Sequence, residues 1–322
     1  MASSIYAAKA LYMSAKITPA LGRTSTYTPI HNFKGFFTNR NNKMASFVRG
    51  VSGVDKSIKT ALAVCELGKE LTKSNVDLES SHNGFSNAMK ALSGARTVLG
   101  LFNAFNGAIP GAIGDGKAAV CLVRDFCSRR KDISLLDGSV LDSEKIYQHN
   151  KVALGKKEQG LAALSAGMRS LAATTFVLSF AVFRSCGWVN KMTPFLGHHA
   201  LGMGLAANTL MVVNHAAVLT GTTAELIREK KCYTRVKGLI DADQNMSSAD
   251  HAEVARGIFL HYRTVVVNHV LTLVEKILEF FLDFVKGIVE FGACVPLEAR
   301  AGLSIFIGLI GIYKVWQSLD KK

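Results

Sequence analysis

The chain has 322 residues, 49% hydrophobic and only 19% charged, against roughly a quarter charged in an ordinary soluble domain. Its formal net charge is +14, which favours anionic partners such as acidic lipid head groups. The composition excludes a disulfide-dense scaffold: six scattered cysteines without a CxxC pair are expected to be free, buried thiols.

Residues 1–54 hold seven basic residues, eleven serines or threonines and no acid; the first carboxylate is Asp55. That composition fits an organelle transit peptide or an uncleaved export signal, and residues 1–44 are expected to be a disordered basic targeting segment. Residues 45–131 are expected to form amphipathic helices. Phe47, Val51, Val54, Ile58, Ala61 and Cys65 recur at steps of four and three, with Arg49, Lys56, Lys59 and Lys69 on the other faces. This is a basic amphipathic helix over 45–72, which either covers a soluble core or lies on an anionic membrane. A second helix is expected over 83–106. "GAIPGAIGDG" (107–116) is expected to break it, since Pro110 cannot continue a helix ladder. A shorter helix over 117–130 then ends in the basic run Arg129, Arg130, Lys131. Residues 132–159 read as a polar connector.

Residues 160–224 are expected to form a hydrophobic helical hairpin. Between Gly160 and Phe183 the one charged residue is Arg169, and 192–224 carry no formal charge with histidine neutral. A spanning helix needs about 20 predominantly apolar residues, and both stretches are long enough. "RSCGWVNK" (184–191) is expected to be the turn. Ala200/Gly204 and Gly202/Ala206 are small-xxx-small pairs that let helices approach closely. Residues 225–322 are expected to hold a long amphipathic helix and a C-terminal hydrophobic helix. Ser247 and Asp250 form a capping box for the first, which is expected to run to about Phe291. In the second, thirteen uncharged residues lie between Arg300 and Lys314, short for a span, so a monotopic or half-inserted helix is an equal expectation.

Few motifs point to chemistry. "GMGLAA" (202–207), with Glu225 beyond it, matches a dinucleotide fingerprint, but such a site needs a preceding strand. "DADQN" (241–245) begins like a calcium loop, but Met246 and Ala252 replace the required glycine and glutamate. His198, His199, His215, His261 and His269 lack carboxylates at metal-site spacing, so packed histidines are the expectation. No nucleophile elbow, P-loop or acid–base pair is recognisable, and neither enzymatic activity, a metal, a cofactor nor a nucleic-acid partner is expected.

Two resemblances accompany these readings. "GLAALSAGMRSLAATTFVLSFAVF" and "LGHHALGMGLAANTLMVVNHAAVL" resemble the bilobed hydrophobic domain of chlamydial inclusion-membrane proteins, which implies type III export and insertion into a host vacuole membrane. "FVRGVSGVDKSIKTALAVCELGKEL", "ALSGARTVLGLFNAF" and "AGLSIFIGLIGIYKVW" are similar to helices of the peroxisome-proliferation peroxin family, which implies binding and curving of membranes through basic amphipathic helices.

The combined expectation is an all-α, non-enzymatic, membrane-associated protein. Arg49, Lys56, Lys59, Arg129, Arg130 and Lys131 supply the basic membrane surface. Ala200, Gly202, Gly204 and Ala206 pack helices, with a homo-oligomer through the apolar helices as a further partner. The alternative is a soluble or conditionally inserting helical bundle, secreted or cytoplasmic, acting as an effector or interaction module. A transporter or enzyme built around His198, His199 and His215 is a third reading.

Overall fold

The structure is a computed structural model that describes residues 47, 50–73, 76–127, 156–193, 197, 199–241, 248–287 and 296–319. Among the described residues there is no strand. The chain is all-α, as its 3.6-residue periodicity requires. In chain order the helices are α1 (Val51–Leu71), α2 (Glu79–Asn103), α3 (Ile109–Cys127), α4 (Lys156–Val177), α5 (Ser185–Met192), α6 (His199–Asp241), α7 (Ser248–Gly287) and α8 (Leu297–Ser318). The expected targeting segment 1–44, residues 132–155 of the expected connector 132–159 and the basic run Arg129–Lys131 lie outside the described residues, as do Arg49 and "DADQN" beyond Asp241; the last four connector residues, 156–159, are the first turn of α4 instead.

The predicted break at 107–116 does not occur. A wide π turn, Ala104–Ala108, joins α2 to α3, and Pro110 falls in the first turn of α3. A proline inside a helical run cannot donate to the preceding turn and crowds it, and the wider π turn just before Pro110 makes room for it. The Asn106 side chain donates from Nδ2 to the Phe102 carbonyl at 3.2 Å, satisfying an acceptor at the widened turn. The predicted turn at 184–191 is also displaced. A π turn, Leu178–Arg184, carries α4 straight into α5, and the helix ends at Met192. No proline interrupts 184–191; Pro194 follows two residues after the helix, and Gly197 takes the left-handed conformation at φ 50°. Arg184 stays helical with its guanidinium 4.6 Å from the Phe180 ring centroid.

The chain divides into two compact units. The first comprises residues 1–106, 177–209 and 281–322. Within it α1 packs against both α2 and α8. Against α2, Arg96 Nε donates to Asp55 at 3.1 Å and His82 Nδ1 meets the Lys69 carbonyl at 3.0 Å, an antiparallel register. Against α8, the Phe47 and Trp316 rings lie 6.0 Å apart, and Gly308 and Gly311 face Thr60 and Lys56 so closely that a Cβ on either would collide with them. Gly53, Ile58 and Ala63 are the buried positions of α1.

The second unit comprises residues 107–176 and 210–280. Here α3–α4, α4–α6 and α6–α7 are antiparallel neighbours. Ser170 Oγ donates to the Ala112 carbonyl at 2.8 Å, and Asn214 Nδ2 donates to the Ala172 carbonyl. The Tyr233 and Tyr262 rings stack at 4.3 Å. One end of the α6–α7 pair has an ordinary aliphatic core of Cys232, Val236, Ile240, Val254 and Ile258. The antiparallel α4–α6 pair is the hairpin expected from 160–224.

Candidate functional site

Away from that aliphatic end, the second unit is inverted. Its interior between α4, α6 and α7 is polar: Ser165, Thr175, Asn214, His215, Glu229, Glu275 and Glu279 are all buried. The apolar residues that accompany them inside are small, chiefly Ala162, Ala166, Ala172, Ala217 and Ala224. Large apolar side chains point outward instead: Leu164 and Leu171 on α4, Val213 and Ile227 on α6, and Leu260, Val267, Val270, Val274 and Ile277 on α7. In a water-soluble unit burial of such side chains is the main stabilising term. An outward face this rich in them is a surface for another apolar phase or another protein.

Several of the buried carboxylates are paired. Arg169, the charge that interrupts the first apolar stretch, donates from Nε to Asp115 on α3 at 3.1 Å and from Nη1 to Glu225 on α6 at 3.0 Å. It also reaches Ser165 Oγ on its own helix at 2.9 Å. Glu225 accepts a further bond from Arg228 at 3.2 Å. One guanidinium thus ties three helices together, using the several donors that distinguish arginine from lysine. A second pair, Arg235 with Glu158, closes α6 on α4 at 3.0 Å. A third group lies between α6 and α7: Glu279 accepts from Lys276 at 2.6 Å and faces His215 Nδ1 at 3.6 Å. Burying Glu158, Glu225 and Glu279 in this way is tolerable because each has an opposite charge in reach.

Three helical segments are long and apolar enough to cross a membrane: 157–190, 202–238 and 297–316. In the third, α8 extends beyond both Arg300 and Lys314 to reach 22 residues, longer than its uncharged core alone. Inside each apolar window at most 28% of residues are buried within the protein. Most residues of each window therefore keep some exposure.

The predicted basic surface residues are brought together only in part. Lys56 and Lys59 are half-buried on α1, both engaged in further interactions, and the Lys56 stem runs beside Gly311. Arg49, Arg129, Arg130 and Lys131 lie outside the described residues. Of the predicted packing residues, Gly202 and Gly204 are exposed with open space above them, and Ala206 is half-buried. The side chain of Ala200 lies outside the described set. Close helix approach is found elsewhere, at Gly308, Gly311, Gly221 and Gly100. "GMGLAA" lies inside α6, without a preceding strand among the described residues. Also among them, no three His, Cys, Asp or Glu side chains converge on a metal-sized space. Of the histidines, His199 is exposed, while His215 is buried on α6 against Glu279.

No protein family, no curated protein and no solved structure matches this chain.

Proposed function

We propose that the chain is a non-enzymatic, membrane-embedded helical protein that binds an anionic membrane and shapes it. The observation that carries this reading is the inverted second unit, with paired charges and small residues inside and large apolar side chains outside. Polar and ionisable groups within membrane segments face the bundle interior and pair with one another, and backbone groups there must be satisfied within helices. The net charge of +14 supplies attraction to anionic lipid, about 1 kcal/mol for each basic residue near the surface. The bulk of the binding energy then comes from the outward apolar faces of α4, α6 and α8. Residues 1–44 act as the address that delivers the chain to an organelle or host vacuole membrane.

Alkaline carbonate extraction of membranes from cells expressing the full chain, followed by protease protection, tests the reading. Retention in the pellet with protected fragments covering 157–190 and 202–238 is the expected result. Release of the intact chain into the soluble fraction would sink it. The rival, a soluble bundle that inserts conditionally, draws support from α1, whose buried face is covered by α2 and α8. The same fractionation separates the two, because the rival predicts a soluble pool that shifts to the pellet only when anionic membranes are added.

A further inference from the structure

The stretch whose sequence reads as a helix break carries no charge from residue 97 to residue 114, between Arg96 and Asp115. Its hydropathy is diluted by Asn103, Asn106 and four glycines, so composition alone does not mark it as a span. We propose that 97–114 is a further membrane segment whose outward side is covered by lipid acyl chains, with Lys90 and Lys117 on opposite faces of the bilayer. The proposal rests on the membrane reading above and enlarges the part of the chain that the bilayer holds.

Four observations carry it. The first is length. The backbone stays helical from Glu79 to Cys127, through the π turn at Ala104–Ala108. The eighteen uncharged residues rise about 27 Å, close to a hydrocarbon core of about 30 Å. Proline is tolerated in such a segment where a local π adjustment satisfies the freed backbone groups, and Pro110 stands two residues beyond this π turn.

The second is what the run packs against. Each half lies, inside its own unit, on the first spanning segment, 157–190. In the first unit Gly100 approaches the Phe180 ring so closely that a Cβ would collide with it, and Gly94 faces Trp188. In the second unit Ser170 Oγ donates to the Ala112 carbonyl at 2.8 Å, and Arg169 Nε donates to Asp115 at 3.1 Å. In each unit residue numbers rise on one helix as they fall on the other, so the pairing is antiparallel. A helix held in this way along a span shares its depth. The helix α1 also borders a span, α8, but α1 carries charges throughout its length, whereas 97–114 carries none.

The third is exposure. Val98, Phe102 and Phe105 follow at steps of four and three, on one side of the helix. The two rings are 56% and 61% exposed, and Ile113 in the second unit is also more than half exposed. Acyl chains remove such surfaces from water. The fourth is the treatment of polar groups. The charges that bound the run are neutralised, Arg96 by Asp55 and Asp115 by Arg169, both at 3.1 Å. Thr97 Oγ1 donates to the Ser93 carbonyl at 3.0 Å, and Asn106 Nδ2 donates to the Phe102 carbonyl at 3.2 Å, so both side chains bond within their own helix. Lys90 and Lys117, exposed beyond either end, suit the two interfaces.

The experiment uses the full chain in sealed phosphatidylcholine–phosphatidylglycerol vesicles. These contain a lipid with a photoactivatable group either at the end of its acyl chain or next to its glycerol. Labelled residues are read by mass spectrometry after flotation. The end-of-chain probe is expected to label Phe102 and Phe105, near the centre of the run, above Val98 and Ile113; the glycerol-level probe should reverse that order. A membrane-impermeant amine reagent, read on intact chains, is expected to modify Lys90 or Lys117 on any one chain but not both. Phe105→Arg is expected to lower the ratio of inserted to uninserted segment about a hundredfold. It would be read as loss of end-of-chain labelling within 97–114 while 202–238 stays labelled. The wild-type measurements decide the matter where Phe105→Arg does not fold. Three results would overturn this proposal and leave the membrane reading standing. One is a wild-type chain that floats with 157–190 and 202–238 labelled but 97–114 unlabelled. Another is labelling of 97–114 that fades as the protein-to-lipid ratio rises, which would assign the face to a second copy. The third is modification of Lys90 and Lys117 on the same chain. Failure of the wild-type chain to float would overturn both.

Discussion

Replacing Arg169 by methionine measures the medium around the second unit as well as the bond network. The guanidinium donates to Asp115, Glu225 and Ser165 at 3.1, 3.0 and 2.9 Å. Its side chain is 46% exposed, against 31% for Asp115 and 12% for Glu225. If the exposed part met water, screening would hold each pair to at most about 1 kcal/mol, and the loss on substitution would be small. Against hydrocarbon nothing screens the pair. Asp115 then loses its counter-charge, while Glu225 keeps Arg228 at 3.2 Å. The expected loss is about 3 kcal/mol, toward the lower end of what removing one partner of a buried pair costs. The assay is reversible unfolding of the full chain in bicelles, titrated with denaturing detergent and followed by far-ultraviolet circular dichroism. Adding Asp115→Asn to Arg169→Met should recover most of the loss, because the orphaned charge disappears with it. A loss under about 1 kcal/mol that shrinks with added salt would refute the reasoning, since it would place Arg169 in water.

Gly308→Val is expected to destabilise the α1–α8 pair by about 1–3 kcal/mol, because Thr60 occupies the space its side chain would need; thermal melting of the full chain reads this directly. Gly204→Ala, in open space on α6, is expected to stabilise by up to about 1 kcal/mol, and a loss instead would show that this face packs against another helix in the membrane. Phe47→Ala removes a buried ring from beside Trp316 and should cost about 3 kcal/mol while shifting the Trp316 emission, followed in a Trp188→Phe background. Burial pushes the Cys65 thiol above its ordinary value. The fold therefore favours the protonated thiol, and that contribution to stability is lost as pH rises from the unfolded thiol's value through the folded one. Maleimide labelling of Cys65 in the native chain should accordingly lag that in the unfolded chain at neutral pH and catch up at alkaline pH.

The helical class and the central hairpin were legible because both rest on local pattern: the apolar spacing of 45–72, and the long uncharged runs before and after 184–191. Local pattern also misled. Pro110 and its glycines read as a break, yet a π turn absorbs the proline, and nothing in residue type announces a π turn. The same geometry at Leu178–Arg184 hid the true end of the first hairpin arm, although Pro194 and Gly197 marked the turn that follows. Arg169 was visible as a charge in an apolar stretch, but its partners Asp115 and Glu225 lie 54 and 56 residues away. Pairing over such distances depends on helix register, which composition does not carry. Gly308 and Gly311, which lie close against α1, stand three positions apart in α8 and read in the sequence only as part of an apolar run.

The pairing of α1 with α8 also bears on the order in which the protein is made. Thr60 and Gly308 stand about 250 positions apart along the chain, whereas Gly68 and Phe85, which join α1 to α2, are fewer than twenty apart. Closing the longer loop costs roughly 2 kcal/mol more chain entropy than closing the shorter one. As the chain leaves the ribosome, α1 and α2 can therefore dock early, but the face of α1 that receives Gly308 and Gly311 stays uncovered until α8 has been synthesised. During that interval an apolar surface beside Lys56 is open to chaperones, to translocation machinery or to a membrane.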